Sequence, residues 1–117
     1  MNTFSMTTPL TGEYFTTVRL AVGGLCALAG FDVDSAEDFK VCVTESLLIL
    51  KRNGFLSASI CFTVGETLRC AIVGEMLGGE KEDALEDEIS RALLSALLGK
   101  VEFVKDAERV VKIEFEG

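Results

Sequence analysis

The residue types that most often carry out chemistry are sparse in this chain, and their spacing is uninformative for metal binding. There is no histidine among the 117 residues, which excludes His-based catalytic triads, imidazole metal ligands and a phospho-acceptor histidine. Cysteines stand at Cys26, Cys42, Cys61 and Cys70, separated by 16, 19 and 9 positions, with no Cys-x-x-Cys pair. Without histidine, a zinc site would need all four thiolates or help from carboxylates. Each cysteine falls inside an apolar stretch, where a free thiol behaves as a small hydrophobe. The expectation is therefore four buried, reduced thiols and no metal site. Carboxylates cluster most densely between Lys81 and Ile89, where five acids stand among nine residues. Such a run reads either as a contact for a basic partner or as a solvated face.

The overall balance agrees with that sparseness. Eleven basic and 19 acidic residues give a net charge of −8, and the only basic pair is Lys51-Arg52. Binding to nucleic acid or anionic membrane depends on clustered Lys and Arg, so neither is expected as a partner. The longest uninterrupted aliphatic run is Leu47 to Leu50, far short of the roughly 20 residues needed to cross a bilayer. Residues Met1 to Met6 carry neither a basic nor an apolar leader segment. With reduced thiols, this points to the cytoplasm. With 49% apolar and 26% charged residues, the chain has the composition of a globular protein, and its length fits one domain spanning 1–117.

The elements that must position these residues follow from periodicity. Residues 3–6 suggest a short first strand, with Phe4 and Met6 on one face, followed by a loop around Pro9. From Glu13 to about Ala29, the set Phe15, Val18, Val22, Leu25 and Leu28 steps by three or four, a helical stripe, and Gly30 is the expected stop. Gly23-Gly24 within that helix suggests close packing on a neighbour. Ser35 and Asp38 resemble a capping box for a second helix, with Phe39, Val43, Ser46, Leu47 and Leu50 as its buried side. That helix is expected to end near Asn53-Gly54, with Lys51 and Arg52 suiting its C-terminal dipole.

The period then changes to two. Ala58, Ile60, Phe62 and Val64 alternate with polar residues, Gly65-Glu66 turns the chain, and Leu68, Cys70 and Ile72 return. Gly74 to Gly79 reads as a loop and Lys81 to Asp87 as a solvated lead-in. A third helix follows, with Leu85, Ile89, Leu93 and Ala96 or Leu97 as its core stripe and Gly99 as its cap. A second hairpin pairs Val101 and Phe103 with Val111, Ile113 and Phe115 across residues 106–108. The order is βααββαββ. It predicts an α+β two-layer sandwich, a mixed or antiparallel sheet with helices packed on one face.

This order and three local strings resemble the anti-sigma-factor serine kinases, members of the histidine-kinase-like (GHKL) ATPase superfamily with the Bergerat fold. The strings are EYFTTVRLAVGGL from Glu13 to Leu25, GFDVD from Gly30 to Asp34, and EDFKVCVTES from Glu37 to Ser46. The specific signal lies in residues 13–46, and the element order extends it over nearly the whole chain. The resemblance implies binding to a sigma factor and phosphorylation of a serine on a small anti-anti-sigma protein. It also implies an N box on the second helix, in which a glutamate acts as general base and an asparagine four residues on holds magnesium. An Asp-x-Gly-x-Gly loop around the adenine and a second glycine-rich loop over the phosphates complete the implied ATP site.

Placed on this sequence, the N-box glutamate is Glu45, but the asparagine position is Ile49, which offers magnesium no oxygen. The adenine-loop aspartate falls at Glu75, and its two glycines at Leu77 and Gly79. The second loop should lie in Lys81 to Ile89, which has no glycine and five carboxylates, where polyphosphate needs backbone N–H groups and cations. Loss of the metal ligand removes the main electrostatic stabiliser of phosphoryl transfer. Glu45 shares a helix strip with Asp38, Ile49 and Arg52, so a salt bridge or simple exposure also accounts for it.

The expectation is a degenerate ATPase-like domain that regulates by protein–protein binding, with no cofactor and with a sigma factor or anti-anti-sigma-type protein as partner. The expected contacts are Glu13, Tyr14, Thr17 and Arg19, together with Glu80, Glu82, Asp83, Glu86 and Asp87. The alternative is a serine/threonine kinase with a remodelled site, using ATP and magnesium, with Glu45 as base and Glu75 and Gly79 at the nucleotide. A self-associating homodimer, through an exposed edge such as Phe4 to Met6, is a third possibility.

Overall fold

The computed structural model describes residues 2–82 and 84–117. Asp83, one of the expected contacts, lies outside the described residues. In chain order the elements are β1 (Asn2–Pro9), a 3-10 turn (Gly12–Tyr14), α1 (Phe15–Leu28), α2 (Val33–Arg52), β2 (Phe55–Val64), β3 (Leu68–Leu77), α3 (Ala84–Leu98), β4 (Val101–Asp106) and β5 (Arg109–Glu116). The strands form one sheet in the order β1-β2-β3-β5-β4, and every ladder in it is antiparallel. The fold is α+β, a five-stranded antiparallel sheet with its helices on one face. No helix among the described residues is long and apolar enough to cross a membrane.

Alternation along the strands decides which face is covered. Ala58, Ile60 and Phe62 on β2, Leu68, Cys70 and Ile72 on β3, and Ile113 and Phe115 on β5 are all buried, and they point one way because side chains alternate along a strand. Against them α2 presents Phe39, Cys42, Val43, Ser46, Leu47, Ile49 and Leu50, and α1 presents Val18, Val22, Leu25 and Cys26. The rings of Phe31 and Phe115 pack edge-on against Phe39, with centroids 5.6 and 5.2 Å away. The opposite face carries Ser57, Ser59, Cys61 and Thr63 and has no helix over it.

Several expectations are corrected. α2 starts at Val33, and its cap is Asp32, whose carboxylate accepts the Ser35 N–H at 2.8 Å. The aspartate offers a full charge to the helix N-terminus, so it takes the role expected of Ser35. β3 continues to Leu77, so Glu75 and Leu77 are paired strand residues, opposite Ser57 and Phe55, rather than loop residues. Leu28, the last residue of α1, is 75% exposed, and Ala29 packs on the core in its place.

The largest correction concerns α3. Leu85 and Ile89, expected in the core, are 65% and 61% exposed, whereas Asp87, Ser90 and Leu94 are buried. Asp87 therefore belongs neither to a solvated lead-in nor to a contact surface. The helix is turned with polar groups inward because the surface of α2 that it meets is polar.

Candidate functional site

α2 sets the frame of the site. Glu45, Ile49 and Arg52 recur at i, i+4 and i+7 and share one side of the helix, and Asn53 follows as its C-cap. α3 lies along this side. The Ser90 hydroxyl donates to Glu45 Oε2 at 2.7 Å and accepts from Arg52 Nη1 at 3.0 Å. Arg52 Nη1 also donates to Asp87 Oδ1 at 3.1 Å, and its Nε lies 3.3 Å from Glu86 Oε2. Ser90 thus relays between the guanidinium and the Glu45 carboxylate, so two buried or half-buried acids are matched by hydrogen bonds and one cation. Such groups are tolerated inside a protein only when paired in this way.

Asn53 ties the network to the sheet. It is fully buried. Its Nδ2 donates to Asp87 Oδ2 at 2.9 Å and to the Ile49 carbonyl at 2.7 Å, and its Oδ1 accepts the Val110 N–H at 3.0 Å. Arg109 Nη1 donates to the Asn53 carbonyl at 2.5 Å. The next residue, Gly54, has φ +94°, a conformation that glycine adopts without penalty. Its carbonyl accepts the N–H groups of both Gly78 and Gly79, at 3.0 and 2.9 Å, and Glu82 N–H donates to the Arg52 carbonyl at 2.7 Å. The segment after β3 is thereby tied to the end of α2. A Cβ on Gly54 would run into the Gly79 carbonyl and the Arg109 side chain.

The residues expected at a nucleotide are distributed as follows. Glu45 faces α3 and is hydrogen-bonded to Ser90. Ile49 has no exposed surface. Glu75 accepts from Ser59 Oγ at 3.2 Å, on the face of the sheet that the helices leave open, so Glu45 and Glu75 are on opposite sides of the sheet. Leu77 is exposed, and Gly79 is bonded to Gly54. Glu45 and Gly79 are thus held by the same α2–α3 and α2–loop junction, and Glu75 is not brought to it. As placed, these residues do not fit the magnesium-bound triphosphate that the resemblance implies: Ile49 offers no oxygen at the implied metal position, and Glu75, at the implied adenine position, is on the other side of the sheet. Among the described residues no group of three or more His, Cys, Asp or Glu is arranged to hold a metal ion.

Three of the cysteines are buried and Cys61 is exposed, which corrects the expectation of four buried thiols. Cys61 sits between Ile60 and Phe62, both core residues, so alternation sends it to the open face. Burial pushes the Cys42 thiol up to about 12, with the nearby carboxylates of Asp38 and Glu45 adding to the effect. Burial raises Cys70 well above its ordinary value, and raises Cys26 against a smaller opposing influence of Lys40. These thiols are poor nucleophiles, because the thiolate is the reactive form.

Among the described residues, two surface cavities stand out, and neither touches Glu45, Ile49, Glu75 or Gly79. One, of about 390 Å³, lies on the open sheet face among Cys61, Thr63, Arg69, Lys100, Glu102 and Glu114. The other, of about 430 Å³, lies by the α1–α2 turn and includes Asp32, Asp38, Phe39, Glu66 and Gly117. The outer side of α1, with the turn before it, exposes an apolar row. Glu13, Tyr14, Thr17 and Arg19 are exposed as expected, and Leu20, 74% exposed, continues through Gly24 to Leu28 at steps of four. Sequence reasoning missed Ser90 and Arg109, read Asn53 only as a helix end, and gave Asp87 to a solvated or partner-facing run. The available signal was the polar spacing Glu45, Arg52, Asn53 on α2, which demands polar partners on whatever packs there.

Comparison of the sequence with known proteins gives no match to a protein-family model and none to a curated protein.

Proposed function

We propose that this chain is a regulatory protein that acts by binding other proteins, on a histidine-kinase-like ATPase scaffold that has lost nucleotide chemistry. The proposed partner is a sigma factor or an anti-anti-sigma-type protein, met in the cytoplasm, where four free thiols stay reduced. The observation that carries this reading is the junction of α2 and α3. Ile49 is wholly buried, and the Glu45 carboxylate is joined to Ser90 at 2.7 Å, so side chains close the helix face where the resemblance would seat magnesium and the phosphates. The βααββαββ order is in keeping with the scaffold, and the exposed row Tyr14, Thr17, Leu20 and Leu28 supplies an amphipathic surface for a partner.

Two measurements test it. Millimolar ATP or ADP, with and without magnesium, is expected to leave the melting temperature unchanged, since only a ligand that binds the folded state raises it. A magnesium-dependent rise would restore the kinase alternative, with Glu45 as base. Immobilised protein at low salt is expected to capture a sigma factor or an anti-anti-sigma-type protein, and Leu20→Glu is expected to abolish that capture. Retrieval of neither partner from a native extract counts against the reading.

A further inference from the structure

The two edges of the sheet are finished differently. β4, at one edge, is six residues long, carries Glu102, Lys105 and Asp106, and breaks register between Val104 and Lys105. Charges and irregularities of this kind keep a further strand from adding. β1, at the other edge, is eight residues long and has no charged residue. It pairs with β2 in unbroken register from Asn2 opposite Val64 to Pro9 opposite Ser57. Leu10, one step further, donates its N–H to the Leu56 carbonyl at 2.9 Å. In an antiparallel ladder the bonded pairs recur at every second residue, so Phe4, Met6 and Thr8 direct their backbone groups to β2. Thr3, Ser5 and Thr7 therefore turn N–H and C=O outward, where the sheet has no strand. Pro9, which has no N–H, closes this strip at one end.

The side chains along the strip specify what fits beside it. They alternate between the two faces, with Phe4 and Met6 on the helix side and Thr3, Ser5 and Thr7 on the open side. Phe4 is 44% exposed and Met6 half-buried, so an added strand would meet apolar surface on the helix side. On the open side, Ser59 Oγ donates to Glu75 Oε1 at 3.2 Å, and Thr7 Oγ1 lies 3.4 Å from Ser59 Oγ. Glu75 takes the Ser59 proton, so Thr7 is the donor to Ser59 and keeps lone pairs that can accept from a neighbour. A side chain opposite Thr7 should thus carry a donor, and the net charge of −8 favours a cationic one. A second copy of this chain would bring the same negative charge, and its β1 has no Lys or Arg to offer.

We propose that residues 3–7 of β1 dock an extended segment of another protein, apolar at alternate positions and basic or hydroxyl-bearing between them. The segment adds to the sheet as an antiparallel strand, like every pairing already in it. Main-chain hydrogen bonds hold it, and the alternating side chains select it. The inference does not depend on the function proposed above.

The probe is a capped peptide, Lys-Val-Thr-Val-Lys-Val-Thr, titrated calorimetrically into the full chain. It is expected to bind with a dissociation constant on the order of 100 μM, as so small a contact allows. Its Lys and Thr residues face Thr3, Ser5 and Thr7 and turn their N–H groups to β1, while its valines face Phe4 and Met6 and turn theirs away. N-methylation of the Lys and Thr residues should weaken binding by about tenfold or more, whereas N-methylation of the valines should change it by less than about twofold. Replacing both lysines with glutamate should also weaken binding by about tenfold.

Ser5→Pro leaves every bond to β2 in place, because the Ser5 N–H points outward; it should abolish binding with an unchanged circular dichroism spectrum. Phe4→Ala, a milder second variant, should weaken binding by about fivefold. No binding at about 1 mM peptide, equal effects of the two methylation patterns, a glutamate peptide that binds as well, or binding retained in both variants would each overturn the proposal. So would a mass of twice 12.6 kDa without peptide that Ser5→Pro halves, because the strip would then hold a second copy.

Discussion

Ser90 of α3 gives its hydroxyl proton to Glu45 of α2 across 2.7 Å while receiving one from Arg52 at 3.0 Å. A single hydroxyl thereby connects a carboxylate and a guanidinium that do not bond each other directly. Ser90→Ala removes the relay and leaves Glu45 without this donor at a half-buried site. The expected loss is about 1–3 kcal/mol, read as a lower urea midpoint. Glu45→Gln keeps an oxygen for Ser90 to bond and should cost less. The reverse ranking would show that Ser90 does not support Glu45.

Asn53 makes three side-chain hydrogen bonds with no exposed surface. Asn53→Ala strands the Val110 N–H and one oxygen of Asp87, with an expected cost on the order of 3 kcal/mol in equilibrium unfolding. Asn53→Asp places a second carboxylate beside Asp87. One of the two acids must then hold a proton in the folded state, which raises its folded pKa above the unfolded value. The stability of that variant should therefore rise as pH is lowered and fall as pH passes upward through the raised value.

Asp32 accepts the Ser35 backbone N–H at 2.8 Å, and this bond, aided by the neighbouring Ser35 hydroxyl, holds the carboxyl below its ordinary value of 3.8. A pKa lowered by folding stabilises the fold above the unfolded pKa, and that contribution is lost as pH falls through the folded one. Asp32→Ala should lower the melting temperature at pH 7, and the gap from wild type should narrow only below about pH 4. A gap that is constant down to pH 2 would mean that the charge of the cap does not matter.

Thiol titration should distinguish the cysteines sharply. Cys61 is exposed, whereas Cys26, Cys42 and Cys70 are buried, with Cys42 pushed up to about 12. In native protein at pH 8 one thiol should react promptly with a disulfide reagent, and in denaturant all four. Cys61→Ser should abolish the fast native phase without changing stability.

How much of this was legible in the sequence differs from element to element. The α2 stripe of Phe39, Val43, Leu47 and Leu50 was readable because a helix with one apolar side over a sheet has one way to turn. The two hairpins were readable because period-two runs flanked Gly65-Glu66 and residues 106–108. The first half of α3 was misread, although Leu97 does pack on the core, because its apolar stripe, taken alone, looks like a core-facing side. Its orientation is decided by Glu45, Arg52 and Asn53 on another element, and local periodicity carries no information about them. The end of β3 was misread for a related reason. Gly74 suggested a loop, but it lies in the ladder opposite Ala58, where any Cβ would strike the ring of Phe55. Glu45 was found at a junction of consequence, but what it does there depends on Ser90, 45 residues away.

The inward polarity of α3 also bears on how the molecule opens. On this helix only Leu94 is a fully buried apolar side chain among the described residues. Lifting α3 away would uncover Leu94 and parts of Leu97 and Leu98, together with an arginine, two acids, an asparagine and a serine that water readily solvates. The hydrophobic cost of detachment is small compared with that of α2, whose removal would lay bare Phe39, Leu47, Ile49 and Leu50. α3 is therefore the natural sub-global unfolding unit of this chain, and its amide hydrogens should exchange with solvent well before those of the helix it covers.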